Sequence, residues 1–307
     1  MRKFIFLLFA TATMLYSCEY GEIEFSYPTS VYFYNQEYNR NIVVGEGLKF
    51  RVGVLLCGVI SNNKSRVVKY TIDPSLVTNP SKSVLPSNYY TLGHATDIVI
   101  EKGEFIGYLT VVMDSVAFLS DPKSLTGEYV LPVRITGCQD VDSVNASKNY
   151  ILMSVSYWAK QHGNYTYSGK AVRKTGNIVV DTLEYKDFPN IQNSIRQLIT
   201  VGPTTLSLVA DMSPSSKDPA KNKFSFYVTV APLGGGNVTI SSNPSSAIKV
   251  SPNGTSTYDA ATKTFTLNYK YTDGIYDVEV SEQMVFRNRI RDVQKNGEGV
   301  NEWRDIP

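Results

Sequence analysis

Short β-branched and aromatic runs recur about every 8–15 residues along the chain, separated by clusters of Gly, Pro, Asn, Asp and Ser. No stretch sustains a helical period between capping residues, so the pattern predicts an all-β protein. Seven strands are expected over 31–34, 48–56, 67–72, 97–100, 107–113, 129–135 and 150–158. A break follows at Ala159-Lys160-Gln161-His162-Gly163. Further strands are expected over 165–172, 177–183, 195–200, 205–209, 224–231, 238–241, 264–271 and 276–286. Gly234-Gly235-Gly236 lies between two of these and reads as a hairpin turn. A phosphate cradle would need a following helix and a Lys-Ser/Thr pair, and the sequence provides neither.

The first group of strands suits an Ig-like β-sandwich over 31–158. The second is a series of sequential hairpins over 163–307, which suits a lipocalin-like up-and-down β-barrel or a second sandwich.

The opening residues point to a compartment. Met1-Arg2-Lys3 leads into an apolar run from Phe4 to Ala10, far short of the ~20 residues that a spanning helix needs. The segment ends Leu15-Tyr16-Ser17-Cys18, which resembles a bacterial lipobox. An aliphatic residue stands at −3, a small one at −1 and cysteine is the first mature residue, although Tyr16 is bulkier than the usual occupant of −2. The expectation is a lipoprotein signal peptide over 1–17, lipidation of the Cys18 thiol and a tether over 18–30. Acyl chains then anchor the protein, each buried CH₂ adding ~0.8 kcal/mol. A plain secretory peptide with a coincidental cysteine is the alternative. Glu19, Glu22 and Glu24 resemble the acidic surface-export tethers of Bacteroidetes lipoproteins. The expected location is therefore the outer membrane, lipid-anchored and exposed at the cell surface.

Charge narrows the partners. The 307 residues hold 30 Lys+Arg against 28 Asp+Glu, and Arg2 and Lys3 fall in the expected signal peptide, so the mature chain is balanced. Nucleic-acid binding, which relies on clustered Lys and Arg to displace counterions, is not expected. Cys57 and Cys138 each end a predicted strand and face an oxidising compartment, where a disulfide between them is possible. Two small buried hydrophobes is the other reading. The stretch Arg287-Asn288-Arg289-Ile290-Arg291-Asp292 is locally basic and reads as a solvated or salt-bridged strand end.

Several segments taken in order resemble a two-part Bacteroidetes surface-lipoprotein family. Leu85-Pro86-Ser87-Asn88-Tyr89-Tyr90-Thr91-Leu92, Ile98-Val99-Ile100-Glu101-Lys102-Gly103 and Tyr129-Val130-Leu131-Pro132-Val133 resemble its N-terminal Ig-like domain, also found ahead of some glycoside hydrolases. Thr126 to Leu131 also resembles a tyrosine corner, with Leu131 where antibody domains place a cysteine. Lys263 to Tyr271 and Gly299-Val300-Asn301-Glu302-Trp303-Arg304 resemble the companion C-terminal domain. The resemblance implies capture of polysaccharide or oligosaccharide beside an outer-membrane transporter and neighbouring surface lipoproteins. It assigns no binding residue. A structural or assembly subunit of an envelope complex is the alternative, and a glycoside hydrolase the least favoured.

Sugar binding needs aromatic faces for C–H surfaces and polar groups for hydroxyls. The candidates are Trp303, beside Asn301, Glu302 and Arg304, then Trp158 at the domain junction, and Tyr165 and Tyr167, which share one strand face. That face is either barrel lumen or exterior. Tyr269 and Tyr271 read as core. No Gly-x-Ser-x-Gly or His-Glu-x-x-His signature accompanies His94 or His162, so no enzyme activity is expected. No cofactor or metal is expected either, because Asp140-Val141-Asp142-Ser143-Val144-Asn145 has no later bidentate Glu at the offset a calcium loop requires.

Overall fold

The computed structural model describes residues 27–186, 195–211, 223–231 and 235–303. Cys18 and residues 18–26 of the expected tether lie outside the described residues, and the end of that span already belongs to the sandwich: Thr29 donates its N–H to Asp142 at 2.7 Å and Ser30 opens the first strand. The protein is all-β, and eleven strands build the first unit: β1 (Ser30–Tyr32), β2 (Glu37–Val43), β3 (Lys49–Cys57), β4 (Arg66–Ile72), β5 (Ser83–Val84), β6 (Tyr90–Leu92), β7 (Asp97–Ile100), β8 (Ile106–Met113), β9 (Tyr129–Gln139), β10 (Ser143–Val144) and β11 (Tyr150–Trp158). They form two facing sheets ordered β10-β1-β3-β8-β6 and β2-β11-β9-β4-β7, with β5 added beside β9. Strict alternation drives β3 into this arrangement: Phe50, Val52, Val54 and Leu56 enter the core while Lys49, Arg51 and Cys57 face out. Tyr129 to Val133 is buried on both faces; two short helices follow β8, α1 (Ser115–Ser120) and α2 (Lys123–Thr126), and α2 packs against β9 and β11, while β5 extends the sheet beside Tyr129 and Val130.

The tyrosine corner takes an altered form. The Tyr129 hydroxyl donates to the Asp121 carboxylate instead of an upstream carbonyl, and the Tyr89 hydroxyl donates to the same carboxylate at 2.9 Å. Asp121 also accepts the Lys123 N–H that starts α2.

One edge of β3 is partly open, whereas the outer edge of β2 is taken by the barrel side, Asn39 N donating to Gln294 Oε1 at 3.0 Å and Asn41 N to Asp292 Oδ1 at 2.6 Å. β1 pairs only with residues 55–57 of β3, so among the described residues the run from Lys49 to Val54 has an unpaired edge. β2 ends the second sheet, joined to β11 in parallel. Its Glu37-Tyr38-Asn39-Arg40-Asn41 start is too polar for the alternation of a half-buried strand, which is why the pattern does not reveal it.

The second unit comprises β12 (Gly163–Thr175), β13 (Ile178–Lys186), β14 (Ile195–Thr200), β15 (Thr205–Asp211), β16 (Lys223–Val230), β17 (Gly236–Ser242), β18 (Val250–Pro252), β19 (Ser256–Asp259), β20 (Thr264–Thr272), β21 (Asp277–Arg291) and β22 (Val300–Trp303). Pairing runs β12-β14-β15-β16-β17-β19-β20-β21, and β21 pairs back onto β12, which closes an antiparallel barrel. Its interior is packed with side chains; Tyr165, Phe226, Phe265 and Tyr269 are fully buried. One ion pair sits among them. Arg196 donates to both oxygens of Glu282, which also accepts the Tyr185 and Tyr269 hydroxyls at 2.9 and 3.3 Å. Gly169 makes room for it, since a Cβ there would come within 2.4 Å of the Ser281 carbonyl.

The two units are joined by a dense polar clamp. Asp292 accepts from Arg40 Nη1 and Asn41 N, each at 2.6 Å, and returns its own N–H to Asn41 Oδ1 at 2.8 Å. Asp292 has φ of 56°, a left-handed conformation that Asp tolerates better than most residues. Glu46 binds Arg289 at 2.7 Å and Arg291 at 3.4 Å, while Glu302 of β22 binds both arginines from the barrel side. The basic stretch at 287–292 is thus a salt-bridged strand end whose ion partners come from both domains.

Candidate functional site

The open edge of β3 and the side chains of β2 border a cleft of about 660 Å³ that reaches Arg291 at the end of β21. Arg40 and Asn41 of β2, Lys49 and Arg51 of β3, and Tyr108 and Thr110 of β8 line it, with Glu46 at the rim. A second depression of about 170 Å³ adjoins it and shares Arg40 and Arg51, adding Tyr34, Asn35 and Tyr38. The two depressions together bring Arg40 and Arg51 beside Tyr34, Tyr38 and Tyr108.

Strand register builds this arrangement. Gly53 pairs with Tyr108 and Arg51 with Thr110, so Arg51 and Tyr108 lie diagonally on the outward face. The Tyr108 ring leans across Gly53, where a Cβ would meet it at 3.3 Å. The Arg51 guanidinium stacks over that ring, 4.3 Å from its centre. Tyr108 keeps 42% of its surface exposed and Tyr34 68%. At the opposite wall, the Arg40 guanidinium lies 5.4 Å from the Tyr38 ring centre and is held by Asp292.

A smaller cleft of about 330 Å³ lies across Glu37, Tyr38 and Asn39. Its lysines are already engaged, Lys82 by the Gly127 carbonyl and Lys295 by Glu37. It shares Tyr38 with the groove, but among the described residues neither of its lysines lies over an aromatic ring, which makes the Arg51–Tyr108 groove the better built site.

The residues singled out from sequence have other duties. Tyr165 is fully buried, its hydroxyl donating to the Gln161 carbonyl at 2.7 Å and its ring set edge-on to Phe265 and Phe286. It is one of the residues lining a junction cavity of about 100 Å³. Tyr167 shares the interior face, packed edge-on against Tyr185 under the Arg196 guanidinium at 4.1 Å. Both are removed from the ligand candidates because barrel closure turns their common face inward. Tyr269 and Tyr271 are core, as their pattern predicts. Trp158 stacks on His162 with ring centres 3.9 Å apart, so one face is taken by the junction. Trp303 pairs opposite Asn288 on the barrel's added strand, and its side chain lies outside the described residues. Cys57 and Cys138 are not bridged: Cys57 is exposed with its thiol toward the Ser30 carbonyl, and Cys138 faces the Val141 carbonyl. Burial raises the Cys138 thiol, and Asp142 adds to the effect. Their strands belong to opposite sheets, and each thiol is turned to a carbonyl of its own surroundings.

Sequence reasoning passed over Arg51, Tyr108, Arg40, Tyr34 and Tyr38. The available signal was Gly53 inside an otherwise apolar strand, a mark of close approach by another group.

Comparison with known proteins adds the following. One family model, described as an N-terminal domain, matches residues 27–142, and another, described as a C-terminal domain, matches 149–287. No curated protein matches. A solved structure of unknown function from Bacteroides ovatus is similar over 85% of this chain and 95% of its own, at 21% identity and a TM-score of 0.71. A second from the same organism covers 86% and 96% at 15% identity and a TM-score of 0.44. An auxiliary nutrient binding protein from Bacteroides thetaiotaomicron covers 84% and 92% at 15% identity and a TM-score of 0.41. The first of these likenesses shows that the whole sandwich-plus-barrel arrangement recurs in Bacteroides. The chain thus has two parts that match family models, an N-terminal domain over residues 27–142 and a C-terminal domain over residues 149–287.

Proposed function

We propose that the protein is a lipid-anchored, non-enzymatic surface protein that captures polysaccharide or oligosaccharide for an outer-membrane uptake system. The observation that carries the reading is the groove between β2 and β3, where exposed tyrosine rings stand beside guanidinium and amide groups. Sugars present apolar C–H faces and rows of hydroxyls, and this combination meets both. The lipobox-like Leu15-Tyr16-Ser17-Cys18 supports anchoring, with transporter and neighbouring lipoproteins as partners. Glycoside hydrolysis would need two free carboxyls roughly 5–10 Å apart. Glu46 and Asp292, the carboxylates at the groove, are instead tied to Arg289, Arg291 and Arg40, which favours binding over cleavage.

The test is affinity electrophoresis of the mature protein over a broad polysaccharide panel, with product analysis of the same mixtures. Retardation by at least one polymer without product release is expected. No retardation in gels where a glycan-binding control is slowed would overturn the reading, and released oligosaccharide would make the protein a hydrolase.

One observation favours a second reading, an envelope assembly subunit. The β12–β13 hairpin exposes Ile178, Val179 and Val180 in succession, at 73%, 53% and 48%. Consecutive exposed apolar residues on a strand mark contact surfaces. A stable complex pulled from detergent-solubilised membranes and lost in Val179→Asp, without glycan affinity, would favour it.

A further inference from the structure

We infer that the groove selects acidic glycans, whose sugar rings carry carboxylate or sulfate groups; this rests on the glycan-capture reading above. Four cations line the larger cleft: Arg40, Lys49, Arg51 and Arg291. Two of them are neutralised within the protein, Arg40 by Asp292 and Arg291 by Glu46 and Glu302. Glu46 is further spent on Arg289. Among the described residues, Lys49 and Arg51 have no carboxylate partner. The cleft therefore carries unopposed positive charge, although the mature chain as a whole is balanced.

Arg51 is the sharper of the two. Its guanidinium carbon lies 4.3 Å from the Tyr108 ring centre, a contact with the ring face that uses none of the guanidinium N–H groups. A planar guanidinium fork suits the paired oxygens of a carboxylate or sulfate, and its preorganisation lowers the entropy lost per bond. Tyr108 beside it supplies the surface for the ring that bears the acid. A site for neutral sugars needs acceptors as well as donors for hydroxyls. Here the nearby carboxylates, Glu46 and Asp292, are engaged by the clamp, so a ligand that brings its own negative charge is favoured over a neutral one.

The test is calorimetric titration with polygalacturonate, its carboxyl-reduced neutral counterpart, chondroitin sulfate and dextran. Proteins are wild type, Arg51→Gln, Arg51→Lys and Tyr108→Ala. The expected result is binding to polygalacturonate or chondroitin sulfate, weakened by salt, with at least ~10-fold lower affinity for the reduced and neutral polymers. Arg51→Gln should lose about 10-fold or more, and Arg51→Lys less, because charge survives without the fork. Tyr108→Ala should also weaken binding, which separates a sugar subsite from a bare patch of charge. Melting temperatures equal to wild type confirm that these exposed substitutions leave the fold intact. Equal affinity for charged and reduced polymers, or unchanged binding in Arg51→Gln, overturns the acidic specificity while glycan capture stands. Absence of binding to these polymers and to the broad panel above overturns both.

Discussion

Acidification should loosen the domain junction through His162. The ring lies flat on Trp158, Nδ1 accepts the Thr200 N–H at 3.1 Å, and the same nitrogen faces the Thr200 hydroxyl at 3.1 Å. Burial, and then the positive charge of Arg289, lower its pKa from 6.5 to about 4. Above pH 6.5 the imidazole is neutral in both folded and unfolded chains, and its contribution is fully present. Between 6.5 and about 4 the unfolded chain takes up a proton that the folded one refuses, so stability falls as pH falls, and the loss is complete below the folded value. At ~1.4 kcal/mol per pH unit the gap amounts to about 3 kcal/mol, a large part of the ~5–15 kcal/mol typical of a folded domain. Urea denaturation of wild type and His162→Asn across this range measures it, followed by Trp fluorescence, to which Trp158 contributes directly. Asparagine can still accept from Thr200 but does not titrate, and carboxylate titrations are common to both proteins. Wild type should lead at neutral pH and give up about 3 kcal/mol of that lead by pH ~4. Parallel pH profiles would refute the reasoning.

Other substitutions test the rest of the framework. Arg196→Met strands the buried Glu282 carboxylate and should cost about 3–5 kcal/mol, whereas Arg196→Met with Glu282→Leu should recover most of it; calorimetric unfolding measures both. Asp292→Asn keeps an acceptor for the Asn41 N–H but releases the Arg40 charge, so the clamp should weaken by about 1–3 kcal/mol, with faster proteolysis at 159–162. In native protein, a thiol reagent should label exposed Cys57 quickly and half-buried Cys138 slowly, both without prior reduction. A single slow phase appearing only after reduction would contradict unbridged cysteines.

Much of the fold is legible in the residues. The alternation of Phe50, Val52, Val54 and Leu56 and the near-continuous burial of Tyr129 to Val133 both follow from apolar pattern alone. β2 escapes because an edge strand buries little; only Ile42 and Val43 of its seven residues are buried. The common face of Tyr165 and Tyr167 is readable from period two, but its direction depends on β21 pairing back onto β12, a contact more than 100 residues away. The groove was hidden for the same reason. Arg51 and Tyr108 are ordinary exposed residues until the β3–β8 register brings one over the other, and the clamp decides which charges remain unpaired.

Amide hydrogen exchange with and without saturating acidic polysaccharide tests the central claim most directly. Slowed exchange is expected at residues 34–41, 49–53 and 106–110 alone, with the barrel strands β15 to β17 unchanged. Protection centred on the barrel or on the β12–β13 hairpin, with those three segments unaffected, would contradict it.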